Sequence, residues 1–327
     1  MTRLRLLVPS AGRKVALVRE LERYFQVYVG GLETEMPACR LHANTRHVSL
    51  PEVSDPGYAT AVLAAVRELG IDAVLPVRNG DMHALELLRT DLFMNGVVLV
   101  LSRHDTVEVC NDKLLLQGFV SQVLGRYSNS LKHTSTIELR RCNFEHMEPP
   151  FVFPLFAKLR YGAGSRRCEV LRCDDDVGKL EKGPEWVIQP LLTGQEYTAD
   201  MFFGLDGKWK QTVLRKRLSV SDGQMDHGEI VHDCFTGQVD FDEPGGWNTH
   251  GFVGPINVQF FQCPDSISRI TDINPRIGGG AILTIRSGVD FVRHLYEVLS
   301  GQEVTVTKPV IGMQARSFID YVLGLGG

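Results

Sequence analysis

The stretch PINVQFFQCPDSISRITDINPRIGGG, residues 255–280, contains two short segments of strand character separated by the four residues PDSI. A separator rich in turn-forming residues predicts a tight antiparallel hairpin. If Cys263 pairs with Ser268 across the turn, counting back along both strands places Gln259 opposite Asp272. The three glycines after the second strand let the backbone turn closely beside a bound molecule.

One face of this predicted hairpin is polar. Because side chains alternate along a strand, five polar residues share that face: Asn257, Gln259, Asp272, Asn274 and Arg276. Carboxylate and amide oxygens suit a hard cation, and magnesium typically takes one or two carboxylates together with phosphate oxygens and water. The arginine could hold a phosphoryl or acyl-phosphate oxygen as a forked donor. A simply solvated polar face is the alternative interpretation.

Composition narrows the class of protein. The 327 residues are 43% hydrophobic and 23% charged, which is typical of a soluble globular protein with two or three packed lobes. No apolar run approaches the roughly 20 residues of a membrane span, and the amino-terminal residues do not resemble a signal peptide. The net charge of −4 argues against a nucleic-acid partner. Seven cysteines without paired metal spacing indicate reduced thiols, so we expect a cytoplasmic protein.

The first hundred residues alternate short apolar runs with amphipathic stretches, which predicts βαβ crossovers and a parallel, Rossmann-like sheet. Ligands of such sheets gather at the carboxyl ends of the strands, here PSAGRK at 9–14 and PVRNGD at 76–81. The single glycine of PSAGRK argues against a dinucleotide fingerprint, which needs three. We interpret these loops as structural turns or as contacts to a small substrate.

The pattern changes after about residue 104. A helix is predicted around NDKLLLQGFVSQVLG, and the glycine-rich YGAGSR at 161–166 joins two strands, with Lys158 at the foot of this hairpin. Such a loop can wrap phosphate oxygens with its backbone amides, although a plain hairpin is the alternative. The rest of the chain is rich in strands. The predicted domains are therefore 1–104, 105–185 and 186–327.

Five motifs in this order resemble the ATP-grasp ligases, and in particular the branch of the carbamoyl-phosphate synthetase large subunit. The motifs are VPSAGRKVALVRE with IDAVLPV, the pair Asp112-Lys113, Lys158 followed by YGAGS, VIQPLLTGQEYTAD, and GPINVQ followed by DINPR. The resemblance implies a fold of class α/β plus α+β, in which a parallel-sheet pre-ATP-grasp domain precedes a two-lobed ATP-grasp unit.

The resemblance also implies a binding site for ATP and magnesium, with manganese as an alternative metal. The positions matched to the nucleotide are Lys113 and Lys158 for the phosphates, Gly162, Gly164 and Ser165 for the lid, Gln189, Leu191 and Leu192 for the adenine hinge, and Glu196 for the ribose. The positions matched to the metal are Gln259, Asp272 and Asn274. The family usually has glutamate where this chain has Asp272.

The implied reaction joins a small carboxylic acid to an amine through an acyl phosphate. Arg276 is the candidate contact for the acyl phosphate, and Arg215, Arg217 and Arg286 are candidates for holding the substrate carboxylate. Phosphorylation of bicarbonate or carbamate, as in carbamoyl-phosphate synthetase, is a second hypothesis, and a non-catalytic nucleotide-binding module is a third. Relatives are commonly dimers, so a homodimer stays open.

The stretch DHGEIVHDC at 226–234 concentrates acids and histidines. It permits three interpretations: a zinc site, a substrate contact through His227 or Glu229, and a solvated loop. The solvated loop is the interpretation that its composition favours.

Overall fold

The structure is a computed structural model that describes residues 3–32, 37–41, 44–123, 131–139, 150–161, 167–221, 224–242 and 245–316. Within these residues the strands form three sheets of five, four and seven strands. No helix in the described part of the chain is long and apolar enough to cross a membrane.

The amino-terminal domain is built on a five-stranded parallel sheet. Its elements are β1 (Arg5–Pro9), α1 (Val15–Leu21), β2 (Gln26–Gly31), α2 (Pro37–Leu41), β3 (Arg46–Ser49), α3 (Tyr58–Leu69), β4 (Ala73–Val74), α4 (Asn79–Leu87), α5 (Arg89–Met94) and β5 (Val98–Leu99). The strand order is β3-β2-β1-β4-β5, and every pairing is parallel. The central strand β1 is a continuous apolar run because both faces of the sheet are buried. The predicted Rossmann-like sheet is confirmed.

A small antiparallel sheet follows. The elements are α6 (His104–Asn111), α7 (Lys113–Val123), β6 (Leu131–His133), β7 (Ile137–Glu138), β8 (Leu155–Leu159), β9 (Cys168–Leu171), α8 (Asp174–Gly178) and β10 (Trp186–Pro190). The sheet has the order β7-β10-β8-β9 and a core of its own, which includes Leu155, Ala157, Leu171 and Ile188. Strands β8 and β9 form the hairpin that the sequence predicted.

The carboxyl-terminal part is dominated by a seven-stranded sheet. Its elements are β11 (Gln195–Phe203), β12 (Trp209–Ser221), β13 (Gln224–Val231), β14 (Gly254–Gln262), β15 (Ser268–Asn274), α9 (Ala281–Arg286), α10 (Phe291–Leu299) and β16 (Gln314–Arg316). The order is β16-β13-β12-β11-β14-β15-β6. Its neighbours pair antiparallel, except that β6 joins β15 in parallel.

The sheets do not follow the predicted domain limits at two places. Strand β6 lies at 131–133, inside the predicted small lobe, yet it completes the seven-stranded sheet. Strand β10 lies at 186–190, beyond the predicted limit at 185, yet it pairs with β8 in the small sheet. The limits 1–104, 105–185 and 186–327 therefore stay a prediction.

In the hairpin of β14 and β15, Gln259 and Asp272 pair as predicted, but the register at the turn differs from the prediction. At the turn, the first residue of β15 pairs with Gln262 and not with Cys263, one residue out of the predicted register. A β-bulge then adds Thr271 to β15, and Gln259 consequently lies opposite Asp272 as predicted. The bulge also turns the Thr271 hydroxyl onto the Gln259 carbonyl, at 3.2 Å.

Candidate functional site

A cavity of about 1060 Å³ lies where the three sheets meet. It is lined by residues of the amino-terminal domain, by β8 and β10 of the small sheet, and by β11, β12, β14 and β15 of the large sheet. Among the described lining residues, two are acidic, Glu196 and Asp272, and eight are basic: Lys14, Arg78, Lys113, Lys158, Arg167, Arg215, Arg217 and Arg276. The cavity is thus positive in a protein whose net charge is −4, which suits an anionic ligand.

Two lysines meet one carboxylate at the centre of the cavity. The Nζ atom of Lys158 donates to Asp272 Oδ2 at 3.0 Å and to the carbonyl oxygen of Thr271, the bulge residue, at 3.1 Å. The Nζ atom of Lys113 lies 3.8 Å from Asp272 Oδ1. The structure therefore brings together the two predicted phosphate lysines and the predicted metal ligand, which come from three separate stretches of the chain.

The surroundings of this cluster favour the charged form of Asp272 but disfavour the charged form of Lys113. Burial by itself raises the pKa of the Asp272 carboxyl, but the charges of Lys158 and Lys113 outweigh burial and hold that pKa below its ordinary value. For Lys113 burial dominates over the attraction of Asp272, and the pKa of this amine is lowered. Asp272 is therefore ionised at neutral pH, with 29% of its side chain exposed to the cavity.

The position of Lys113 follows from its neighbour in the sequence. The Asp112 carboxylate accepts hydrogen bonds from the amide of Leu114 in the first turn of α7, at 2.9 Å, and from Arg160 Nη2 at 2.7 Å. Arg160 follows β8, so this ion pair fixes the start of α7 against the end of the strand that carries Lys158. The predicted lid residues Gly162, Gly164 and Ser165 lie outside the described residues.

The predicted metal ligands Gln259, Asp272 and Asn274 form, together with Asn257, a face of oxygen donors, which we call the metal-donor face. Asn257 lies opposite Asn274 and Gln259 lies opposite Asp272. The Asn274 amide donates to Asn257 Oδ1 at 3.2 Å, which leaves the Asn274 carbonyl oxygen as an acceptor. One carboxylate with two side-chain amides fits magnesium that is shared with phosphate oxygens better than it fits a closed protein cage. In agreement, the described residues contain no cluster of three or more His, Cys, Asp or Glu side chains that could hold a metal.

The predicted nucleotide positions line the same cavity along one wall. Gln189, Leu191 and Leu192 border it where the chain leaves β10. The buried Gln189 side chain donates to Thr136 Oγ1 at 2.7 Å and thereby anchors this segment. Glu196, the predicted ribose contact, already has a partner, because its carboxylate accepts a hydrogen bond from Arg217.

The arginines of β12 are neutralised by acids of β11. Arg217 pairs with Glu196, and Arg215 makes two hydrogen bonds to the buried Asp200, at 2.6 and 2.9 Å. A Cβ atom at Gly280 would lie 2.4 Å from Arg215 Nη1. We predicted that the glycines at 278–280 make room for a bound substrate, and this glycine makes room for an arginine of the cavity wall.

Comparison with known proteins shows that the fold around this cavity is similar to that of solved structures. A family model described as "ATP-grasp in the biosynthetic pathway with Ter operon" matches residues 182–318. The fold is similar to N5-carboxyaminoimidazole synthetase of Staphylococcus aureus in complex with ADP, with a TM-score of 0.69, 13% identity, and coverage of 95% of this chain and 81% of that one. The chain has the ATP-grasp fold. The amino-terminal parallel sheet and the two further sheets agree with that architecture.

Other ATP-grasp structures match along nearly the whole chain. The L-amino acid ligase of Bacillus licheniformis matches with a TM-score of 0.66 at 16% identity. The match covers 91% of this chain and 75% of the ligase chain. Pyruvate carboxylase of Rhizobium etli has a TM-score of 0.69 at 14% identity and covers 93% of this chain, whereas this chain spans only 29% of that protein. No curated protein matches the sequence.

One predicted catalytic residue lies away from the cavity. Arg286 is on α9, its side chain is 51% exposed, and its Nε and Nη2 atoms each lie 3.0 Å from Glu20 Oε1 on α1. This ion pair joins the amino-terminal domain to the large sheet. The ion pair with Glu20 outside the cavity does not support the assignment of Arg286 to the substrate carboxylate, which stays a prediction.

Arg286→Ala is expected to leave the turnover number within about twofold of the wild-type value and to lower the free energy of unfolding by no more than about 1 kcal/mol, since exposed ion pairs contribute little. Steady-state kinetics and urea denaturation of the full chain test both statements. A large loss of turnover with an intact fold would return Arg286 to the reaction.

The amino-terminal domain contributes residues of the two loops, 9–14 and 76–81, that we interpreted as structural turns or as contacts to a small substrate. Lys14, Arg78 and Asn79 all line the cavity. Lys14 follows β1, and Arg78 and Asn79 follow β4, so they stand at the carboxyl ends of adjacent parallel strands, where ligands of such sheets bind. Asn79 accepts a hydrogen bond from Arg276 Nε and thus joins the domain to the metal-donor face.

The acidic and histidine-rich stretch at 226–234 is mostly strand. Residues up to Val231 belong to β13, and His227 contacts Gln314 of the edge strand at 3.1 Å. Among the described residues from 224 to 234, Met225, just before the stretch, lines the cavity. Neither His227 nor Glu229 borders the cavity, so the structure does not favour a zinc site or a substrate contact at these residues.

Proposed function

We propose that this protein is an ATP-dependent ligase that joins a small carboxylic acid to an amine and releases ADP and phosphate. The observation that carries the proposal is the convergence of Lys113, Lys158 and Asp272 in one positive cavity that all three sheets border. The ATP-grasp fold supports it, and so do neighbours of that fold that include an amino acid ligase and a synthetase seen with ADP.

The proposed first step is phosphoryl transfer. A carboxylate oxygen of the acid attacks the γ-phosphorus of ATP, the bond to the bridging oxygen breaks, and ADP leaves with that electron pair, which produces an acyl phosphate. Lys113 and Lys158 neutralise charge on the phosphate oxygens in this step, which is the main service that a protein gives to such a transfer. Arg276 stands beside the metal-donor face, where it can hold the transferred group.

The proposed second step forms the C–N bond. The amine attacks the acyl carbon, the C–O bond to phosphate breaks, inorganic phosphate leaves, and the amine nitrogen loses a proton. Gln259, Asp272 and Asn274 would hold magnesium, which, when bound, neutralises phosphate charge during the transfer. Gln189, Leu191 and Leu192 would border the adenine, and Glu196 would meet the ribose, which requires its bond with Arg217 to be shared or exchanged.

The full chain should be incubated with Mg²⁺ and ATP and with pooled carboxylic acids and amines, each pool also being omitted in turn. Release of ADP that needs both pools supports the ligase. Release stimulated by bicarbonate alone supports the carbamoyl-phosphate-synthetase-like alternative. Tight binding of MgATP without any acid-dependent turnover contradicts both and supports a nucleotide-binding module.

The same assay on Lys158→Met separates specific turnover from a contaminating ATPase. The matched control is Lys182→Met, which changes an exposed lysine outside the cavity. We expect turnover to disappear in the first variant and to persist in the second. Equal activity in both would contradict the proposed site.

A further inference from the structure

Three cations gather at the end of the cavity that the amino-terminal domain forms. Lys14 and Arg78 come from the loops after β1 and β4, and Arg276 comes from the chain just after β15. The charges of Arg276 and Arg78 act on the Lys14 amine. We call Lys14 and Arg78 the basic pair. Arg276 donates to Asn79, the residue after Arg78.

These cations differ from Arg215 and Arg217 of the cavity, because no carboxylate of the described residues forms an ion pair with them. Arg276 donates to Asn79 Oδ1 and to the carbonyl oxygen of Ile277, both uncharged acceptors. In the described ranges, neither Lys14 nor Arg78 makes an ion pair or a side-chain hydrogen bond. Arg215 and Arg217, by contrast, are each satisfied by an acid of the adjacent strand.

The charge of Asp81 acts on Lys14, but this acid forms no ion pair with Lys14 or Arg78 in the described residues. Its side chain is completely buried, it accepts a hydrogen bond from Ser10 Oγ at 2.8 Å, and it does not line the cavity. Burial dominates and raises the pKa of Asp81, against the lowering by Ser10 and by the Arg78 and Lys14 charges. Asp81 therefore offsets only part of the positive charge at this end.

Leaving several cations in a partly desolvated pocket is costly unless an anion compensates them. Burial, followed by the charges of Arg276 and Arg78, lowers the pKa of Lys14 to about 8, and Asp81 opposes this only in part. Burial likewise lowers the pKa of Arg276. A bound anion at this place would stabilise the charged amine.

We propose that the acid substrate carries a second anionic group, a carboxylate or a phosphate, that binds the basic pair of Lys14 and Arg78 while the reacting carboxylate lies between Arg276 and Asp272. This inference rests on the proposed ligase function and names the class of its acid. The basic pair is then a specificity determinant, because a monocarboxylate leaves both of its charges without a partner.

The test is a panel of matched acids in the ADP-release assay with the full chain, Mg²⁺, ATP and pooled amines. Butyrate is compared with glutarate, and glycerate with 3-phosphoglycerate, so that the two sources of the second anion are separated. We expect the dianionic acids to support turnover at least about tenfold better than their monoanionic partners. Equal turnover with mono- and dianionic acids would overturn the inference and leave the ligase function intact.

Variants of the basic pair test whether Lys14 and Arg78 cause the expected preference for dianionic acids. Lys14→Met and Arg78→Met are each expected to raise the KM for the best acid of the panel by about 10- to 100-fold, as for the loss of a charge-assisted hydrogen bond, and to leave the KM for ATP within about twofold. Arg13→Met, which changes an exposed neighbour, is the matched control. An unchanged KM for the acid in both pair variants would contradict the assignment.

A binding measurement keeps the inference testable if no acid supports turnover. Thermal unfolding of the full chain is then followed with MgADP and each acid of the panel. Stabilisation by the dianionic acids that is lost in Lys14→Met and Arg78→Met would support the anion site although the ligase function had failed. No stabilisation by any dianionic acid at millimolar concentration would reject the site itself.

The pH profile distinguishes a charge contact from a packing role. Because the folded-state pKa of Lys14 is about 8, its amine is charged below that pH and neutral above it, with Arg276, Arg78 and Asp81 as the charged groups facing it. The KM for the dianionic acid should therefore rise as pH increases through 8. Lys14→Arg keeps the charge at all these pH values and should flatten the profile. The same rise in Lys14→Arg would assign it to another group.

Discussion

Asp272→Asn is expected to lower the turnover number for acid-dependent ADP release by about 10²- to 10³-fold, because the Asp272 carboxylate would hold the magnesium that neutralises the transferring phosphoryl group. Asparagine preserves the size of the side chain and can still accept the hydrogen bond from Lys158 that Asp272 accepts at 3.0 Å. It removes only the negative charge that the metal position and the two lysines share. Loss of turnover would then report electrostatics and not packing.

Asp272→Glu is the informative companion, since the ATP-grasp family that this chain resembles usually has glutamate at that position. We expect its turnover to stay within about tenfold of the wild-type value, because the carboxylate remains and only its reach changes. Asp265→Asn is the matched control, because Asp265 lies in the turn of the same hairpin and pairs with Arg269 at the surface. Equal turnover in Asp272→Asn and the wild type would remove Asp272 from the reaction.

Arg215→Met is expected to lower the free energy of unfolding by about 3–5 kcal/mol, the cost of leaving a buried charge without its partner. The Arg215 and Asp200 side chains are only 3% and 1% exposed, and the Asp200 carboxylate has two of its hydrogen bonds from Arg215 and another from Thr284. After the substitution, the Thr284 bond alone would have to stabilise this carboxylate. Urea denaturation of the full chain measures the loss.

Two further variants identify the cause of that loss. Lys216→Met changes the next residue on β12 and is expected to alter stability by less than about 0.5 kcal/mol. Arg215→Met combined with Asp200→Leu removes both buried charges and should recover most of the stability. A double variant as unstable as Arg215→Met alone would show that packing around the arginine, and not the unpaired carboxylate, sets the cost.

The β14–β15 hairpin shows which residue pairs can be predicted by counting along two strands from a turn, and which cannot. The alternation of polar residues correctly predicted that Gln259 faces Asp272 and that Asn257 faces Asn274. The pairing at the turn was wrong by one residue, and the bulge at Thr271 cancelled that error. A bulge cannot be read from alternation, because the inserted residue looks like any other strand residue until its partner strand is known.

Residue order alone predicted much of the local structure and identified the chemical groups of the cavity. The apolar runs of the first hundred residues require a buried parallel sheet, since strands covered on both faces cannot alternate. The motif containing Lys158 and the one containing Asp272 place their side chains on strands, where alternation selects the face. These features depend on neighbours within a few residues, and local periodicity reports them.

Which charges compensate one another depends on how the chain folds. Arg215, Arg217 and Arg286 are equivalent in the sequence, yet the first two are satisfied by acids on β11 and the third by Glu20, which lies 266 residues away. Lys14 and Arg78 differ from them because, within the described ranges, no acid of the cavity wall forms an ion pair with either. The physical reason is that the energy of a charge depends on burial and on partners within a few ångströms, which chain topology sets and residue order does not.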